Sequence, residues 1–181
     1  MKKTTLIFAL LISGASVFAQ KRTTTSGTIS FDATTSLDAL PRAENKTVVA
    51  ALDPKTGGIA FEAIIKSFSF VNPMMQGHFN SVNWLDSDKF PTATFKGKIT
   101  NLAAVNFSKD GTYPAEVSGD LTIHGVTKTI STKGTIVVTG KMISATAAFV
   151  VKVDDYGITG KAIEAGKVNK EPKVSVAVSF N

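Results

Sequence analysis

Apolar and polar residues alternate along most of this 181-residue chain. The clearest run covers residues 174–180, in which every second residue is a valine or a phenylalanine and most of the others are polar. A period of two places alternate side chains on opposite faces of a β-strand. Similar runs predict further strands at residues 29–31, 48–52, 59–65, 93–99, 117–123, 130–138 and 143–151. The pattern therefore predicts about eight short strands.

Turn-forming residues separate these runs. Glycine, proline and aspartate cluster at residues 53–58, 108–111, 124–125 and 139–140, at the spacing typical of hairpins. We therefore expect the strands to pair antiparallel. After Ile65 the apolar positions shift by one residue to Phe68 and Phe70, which predicts a β-bulge or strand break near Lys66 and Ser67.

One stretch, residues 73–85, lacks the alternation. Met75, Phe79 and Val82 lie near one another at helical spacing, although Gly77 weakens any helix there. We predict a short helix or turn-rich crossover. A sheet of eight short strands with one crossover protects its edges either as a closed barrel or as a sandwich, and the alternation is compatible with both.

The N-terminal residues have the order of a secretory signal. Lys2 and Lys3 precede an apolar run at residues 6–12, and the small residues Val17 and Ala19 suit a peptidase site. We predict cleavage after Ala19 and a periplasmic or secreted protein. A membrane anchor is the alternative, but a spanning helix needs about 20 apolar residues, so we expect no stable membrane anchor.

Composition narrows the class of protein. The predicted domain, residues 20–181, has a size typical of one domain that buries its own core. The chain has no cysteine, so neither disulfides nor lipid attachment to a cysteine is expected. The net charge of +6 falls to +4 without Lys2 and Lys3. Its lysines are scattered among acidic residues, which argues against nucleic-acid binding.

Motifs for catalysis are missing from the sequence. It has two histidines, no cysteine and no G-x-S-x-G. Residues 134–142 resemble a phosphate-binding loop, but the spacing is one residue too long and Met142 replaces the magnesium-binding hydroxyl. We therefore predict a protein that is not an enzyme and that uses no cofactor and no metal.

The two histidines have different expected roles. His124 follows Asp120 by four residues, which along a strand is about 13 Å and too far for one metal ion, so we assign it to a turn. His78 lies in the crossover. We expect a buried or half-buried side chain that hydrogen-bonds the loop, with a position at the mouth of a ligand pocket as the alternative.

Phenylalanine is frequent, with 12 residues. Several occupy inward positions of the predicted strands: Phe31, Phe61, Phe68, Phe70, Phe95 and Phe149. An eight-stranded barrel either fills its interior with side chains or holds one elongated ligand. Small inward residues make a cavity plausible, namely Ala63, Ala93, Gly97, Gly119, Ala145 and Ala147.

Two segments together resemble the YceI-like family of exported, lipocalin-like, polyisoprenoid-binding proteins. Residues 78–81 read H-F-N-S and residues 84–95 read W-L-D-S-D-K-F-P-T-A-T-F, which resembles that family's H-L-x-S and F-P-x-x-x-F. Residues 119–128 read G-D-L-T-I-H-G-V-T-K, which is similar to its G-D-L-T-[LI]-x-G-V-T-K hairpin. The resemblance covers most of the chain from about Gly58 onward.

The resemblance implies an extended, eight-stranded antiparallel barrel with one short helical crossover, whose interior takes a polyprenyl phosphate or an isoprenoid quinone. It implies ligand contacts from Phe31, Phe61, Phe68, Phe70, His78, Phe79, Trp84, Phe95 and Phe149. Met75 and Gln76 stand where many relatives have an Arg-Asp pair, and the family's amino-terminal H-x-G-x-[VI]-x-G-x-F stretch is missing. These differences concern the head-group contacts and the identity of the ligand.

We therefore expect a non-catalytic protein that sequesters or carries an apolar, isoprenoid lipid, with a homodimer as one option for its assembly. A structural or interaction domain of the cell envelope with a filled barrel is the second hypothesis. An enzyme acting on a small apolar substrate is the third, and His78 and Asp86 are the residues it would use.

Overall fold

The computed structural model describes residues 21–181. Strands dominate it, and each predicted run of alternating residues forms one. The strands are β1 (Arg22–Asp32), β2 (Arg42–Leu52), β3 (Gly58–Ile64), β4 (Ser69–Phe70), β5 (Thr92–Ile99), β6 (Gly111–Ile123), β7 (Val126–Thr139), β8 (Met142–Val150) and β9 (Lys173–Phe180). Two helices, α1 (Pro73–Asn80) and α2 (Lys161–Glu164), lie between them.

Eight of these strands form a closed barrel. The order around the sheet is β1, β9, β8, β7, β6, β5, β3, β2, and β2 pairs again with β1. All pairings are antiparallel, and the two-residue β4 attaches to the first half of β2. The predicted eight-stranded antiparallel barrel is confirmed, and the sandwich alternative is excluded.

A tight turn joins β6 to β7. Its central residues are His124 and Gly125, with φ values of 51° and 75°, and Ile123 pairs with Val126 across it. Two consecutive residues with positive φ suit the right-handed twist of a hairpin. The assignment of His124 to a turn is therefore confirmed.

The strand break predicted near Lys66 is present as a 3₁₀ turn at Ile65–Ser67, after which the chain enters β4. Helix α1 follows, with the Asn72 side chain accepting a hydrogen bond from the Met74 backbone N–H (2.9 Å) and Pro73 in its first turn. The predicted crossover is thus confirmed as a short helix.

The segment between β8 and β9 adds structure that the alternation does not predict. A 3₁₀ turn at Val153–Tyr156 ends at Gly157, whose φ is 69°, and the one-turn helix α2 follows. Four helical residues are too few to show an apolar period.

Buried side chains form two clusters, one toward each end of the barrel. The first surrounds α1 and the 3₁₀ turn at Val153–Tyr156. In it the Phe79 ring contacts three other rings, with centroid distances of 5.8 Å to Phe31, 5.6 Å to Phe68 and 5.0 Å to Phe70. The second cluster, at the opposite end, includes Ile99, Ile136, Ile143 and Phe180.

Among residues 21–181, none of the helices combines the length and apolar character that crossing a lipid bilayer requires. The predicted signal at residues 1–19 lies outside the described residues, so it stays a prediction.

Candidate ligand cavity

The barrel encloses a cavity of about 200 Å³ between its two packed ends. All eight barrel strands contribute inward side chains to its wall, and these are almost entirely aliphatic or aromatic. The polar residues along it are Thr94, Thr132, Thr135 and Thr146. Of the described residues that line the cavity, none is charged.

The cavity exists because small side chains occupy inward positions of several strands. Ala63, Ala93, Ala145 and Ala147 all line it. Phe61, Phe95 and Phe149 also line the cavity, and in a filled barrel such rings would be fully buried. Here they are only partly buried, although they lie in the core. The barrel is therefore hollow at this level.

Larger side chains close the two ends. On the α1 side, Phe68, Phe79 and Leu85 are 6% to 7% exposed. At the opposite end, Ile136 and Phe180 are 4% and 2% exposed. The hollow is thus a chamber inside the barrel, enclosed at both ends by packed side chains.

Two of the small residues expected to open the cavity instead allow two strands to approach closely. Gly97 and Gly119 face each other across β5 and β6. The tip of the Phe95 ring lies 2.7 Å from where a Cβ at either glycine would be, and neither glycine lines the cavity. They let two strands and one ring approach closely, so the expectation that they enlarge the cavity is wrong.

Seven of the nine residues predicted to contact a ligand line the cavity: Phe31, Phe61, Phe68, Phe79, Trp84, Phe95 and Phe149. Phe70 does not, because it is buried behind the Phe79 ring. This placement leaves ligand contact itself untested.

His78 lies outside the cavity and is exposed. The expectation of a buried or half-buried side chain is therefore wrong. Successive residues of a helix point about 100° apart, so burying Phe79 in the core turns its neighbour His78 toward solvent. Asp86, the other candidate for catalysis, lies in a turn with a φ of 43° and its backbone carbonyl accepts from Phe90 at 2.8 Å.

Sequence reasoning missed the aliphatic part of the wall. Its members lie on the inward face of the alternation, and the emphasis on rings left them out: Ile29, Ile59, Ile65, Ile123, Ile130, Val174 and Val176. Their alternation alone was enough to find them.

His124 has a structural contact. Its Nδ1–H donates to the Tyr156 carbonyl oxygen (3.1 Å), and its ring meets the edge of Phe90 with centroids 4.7 Å apart. Residues 21–181 hold no group of three or more acidic, histidine or cysteine side chains that would suit a metal ion. The uncharged, aliphatic and aromatic wall of the cavity suits sequestration of an uncharged, apolar molecule.

Comparison with known proteins agrees with this architecture. A family model described as "YceI-like domain" matches residues 10–180. Among curated proteins, a UPF0312 protein of Pseudomonas fluorescens is 41% identical over 64 residues, which are 35% of this chain and 31% of the relative. A UPF0312 protein of Pseudomonas putida is 33% identical over 89 residues, 46% of this chain and 43% of the relative. The matched segments thus span less than half of these relatives.

Solved structures share the fold. Burkholderia cenocepacia BcnA aligns with a TM-score of 0.72 and 18% identity over 86% of this chain and 96% of BcnA. A polyisoprenoid-binding domain from Saccharophagus degradans, implicated in plant cell wall breakdown, aligns with a TM-score of 0.74 and 13% identity over 89% of this chain and 97% of that domain.

Proposed function

Since this chain belongs to the YceI-like family, we propose that it binds the hydrocarbon chain of an isoprenoid lipid inside its barrel. The observation that carries the proposal is the uncharged internal cavity, whose wall is aliphatic and aromatic on all sides. Such a chamber shields an apolar molecule from water, and it holds no charged side chain that could pair with a charged group.

The driving force is the hydrophobic effect. Each methylene-sized group that leaves water for an apolar site contributes about 0.8 kcal/mol. Several isoprene units in the chamber would therefore offset the loss of freedom on binding. The partly buried rings of Phe61, Phe95 and Phe149 supply the contact surface.

The isoprenoid class is supported by the fold shared with the polyisoprenoid-binding domain from Saccharophagus degradans. We propose a polyprenyl phosphate or an isoprenoid quinone as the ligand, held without chemical change and without a cofactor. The signal predicted at residues 1–19 supports a role outside the cytoplasm, in which the protein carries or stores lipid. A structural domain with a filled barrel fits the hollow interior less well.

A cavity-filling variant tests the proposal. Ala147 lines the chamber, so Ala147→Leu places a larger side chain where the lipid would lie. Ala60 is also on a strand but lies outside the cavity, which makes Ala60→Leu the matched control. Native mass spectrometry after incubation with geranylgeraniol or a short-chain ubiquinone measures the bound lipid.

We expect one lipid per chain for the wild type and for Ala60→Leu, and a large loss for Ala147→Leu without loss of thermal stability. Lipid recovered with the protein from its own host would identify the natural ligand. Repeated isolation without lipid, together with no uptake of either probe, would contradict the proposal.

A further inference from the structure

The wall of the barrel has a seam between β7 and β8. Strand β7 pairs with β6 over nearly its whole length, from Val126 to Val138, but its ladder with β8 runs only from Gly134 to Thr139. Strand β8 continues past Ala147 for three residues, and there it pairs with β9 alone. Within the described part of the chain, no ladder joins residues 126–133 to residues 148–150.

The seam is enclosed at both ends. The Gly134–Ala147 pair ends the ladder on one side. On the other side, the hydrogen bond from His124 to the Tyr156 carbonyl ties the β6–β7 turn to the segment that follows β8. Strand β8 extends beyond that pair by residues 148–150 only, roughly 10 Å at the usual rise of a strand. Past them the 3₁₀ turn at Val153–Tyr156 lies against β7, with Val153 and Tyr156 buried. The seam is therefore a short slot in the wall.

Side chains close the slot. The Thr132 hydroxyl donates to the Ala148 carbonyl oxygen (3.2 Å). Ile130 and Phe149, on opposite sides of the slot, both line the cavity and are only partly buried. Separating residues 131–133 from residues 148–150 breaks this side-chain bond and no backbone ladder, whereas separating paired strands breaks ladder bonds.

A second break in the wall, between β1 and β9, is filled by packed side chains. The start of β1 leaves β9 beyond the Thr28–Ala177 pair. The neighbouring Val178 and Phe180 are 5% and 2% exposed, so packed side chains fill that break. At the slot between β7 and β8, the cavity residues Ile130 and Phe149 on either side are partly exposed.

A groove of about 420 Å³ with both polar and apolar surface lies on the outside of the barrel beside the slot, across β1, β9, β8 and β7. Hydroxyl groups of Thr28, Ser30 and Ser175 line it. It shares five residues with the internal cavity: Gly134, Thr135, Thr146, Ala147 and Val176. The apolar chamber and this groove of mixed polarity thus adjoin at one end of the slot.

We propose that this slot is a lateral gate, through which the tail of an amphiphilic lipid reaches the chamber while its polar head stays in the outer groove. The proposal rests on the proposed function and adds the route and the orientation of the ligand. Lys133 lines the groove, and Glu116 pairs with it on β6, so both signs of charge border the head-group position.

Closing the gate covalently tests the route. The chain has no cysteine, so Ser131→Cys with Val150→Cys gives two unique exposed thiols on opposite sides of the slot. A short bis-maleimide joins them, and the fluorescence of N-phenyl-1-naphthylamine reports uptake into the chamber. Val137→Cys with Ser144→Cys, a pair inside the ladder and outside both cavities, is the control.

We expect the crosslinked slot to take up the probe about tenfold more slowly, a change of about 1.4 kcal/mol in the barrier, and the crosslinked control to match the wild type. Uptake at the wild-type rate through a crosslinked slot would overturn the gate and place the route elsewhere, such as beneath α1.

Loosening the gate gives an independent test that needs no crosslinker. Thr132→Val removes the bond to Ala148 and keeps the shape of the side chain, so we expect uptake about fivefold faster. Thr139→Val, on the same strand and away from both cavities, should leave the rate unchanged. An unchanged rate in Thr132→Val would contradict the gate.

Failure of the proposed function would look different. In that case the naphthylamine probe still enters at rates that depend on the slot, while geranylgeraniol and ubiquinone are not retained. A wild-type protein that admits no probe at all would overturn the gate itself.

Discussion

Asn45 is a polar side chain in the core, with 0% exposure. It lies where β2 leaves β3 to pair with β4. Its Nδ2 donates to the Ile64 carbonyl oxygen (3.0 Å), and its Oδ1 accepts from the Thr47 backbone N–H (2.9 Å) and hydroxyl (3.0 Å). One amide thus replaces the ladder at the point where the strands separate.

We predict that Asn45→Ala lowers the free energy of unfolding by about 2 kcal/mol, because a buried side chain is lost and its partners lose their bonds. The melting temperature should fall by about 4–8 °C. Asn169→Ala is the control, since the exposed Asn169 side chain accepts only from the Glu171 N–H. Equal losses in denaturant titrations of the two variants would contradict this role for Asn45.

Tyr156 is 3% exposed. Burial raises the pKa of its phenol above 10.0, and the negative charge of Asp155 adds to the effect. A pKa that is higher in the folded state than in the unfolded state means that stability is intact below about pH 10 and declines as the pH rises through and beyond that value.

We therefore predict that the wild type loses stability more steeply than Tyr156→Phe as the pH rises above about 10. Chemical denaturation at a series of pH values measures the slope. Tyr113→Phe, which removes a hydroxyl that donates to the Lys109 carbonyl near the surface (2.8 Å), is the control. Parallel curves for the wild type and Tyr156→Phe would rule out a titrating Tyr156.

At the scale of elements, the contact between β5 and β6 depends on two glycines. A Cβ at Gly119 would collide with the Gly97 Cα and the Lys96 carbonyl oxygen, and would lie 2.7 Å from the Phe95 ring. Helix α1 presents the opposite case, because a Cβ at Gly77 would meet nothing within 4 Å.

We predict that alanine substitutions at Gly119 and Gly77 change the free energy of unfolding in opposite directions. Gly119→Ala should lower the free energy of unfolding by about 1–3 kcal/mol through overpacking. Gly77→Ala should raise it by about 0.5–1 kcal/mol, because alanine favours the helix. Thermal unfolding measures both. Destabilisation by Gly77→Ala would show that α1 needs the flexibility of glycine.

The elements themselves could be predicted from the alternation, because each strand presents one face to the barrel interior. Helix α2 could not, since Lys161–Glu164 is a single turn. The exposure of His78 could not be predicted either, because it depends on how the neighbouring Phe79 packs among three other rings. The slot depends on where the β7–β8 ladder stops, which no local pattern encodes.

At the scale of the whole molecule, the alternation allowed a barrel and a sandwich equally. The pairing of β1 with β2 closes the sheet and so distinguishes a barrel from a sandwich. The alternation could not predict this pairing, because the side chains of both strands would alternate in either fold. The hollow interior likewise required the structure, because the inward alanines and phenylalanines leave space only when the closed barrel brings them around one cavity.

The central claim is that an isoprenoid chain lies inside the barrel, and intermolecular NOEs test it most directly. With geranylgeraniol bound, the lipid methyl protons should show NOEs to the rings of Phe61, Phe95 and Phe149, which line the chamber. NOEs confined to the exposed side chains of Val71, Met74 and Val82 would place the lipid on the surface near α1 and contradict the claim.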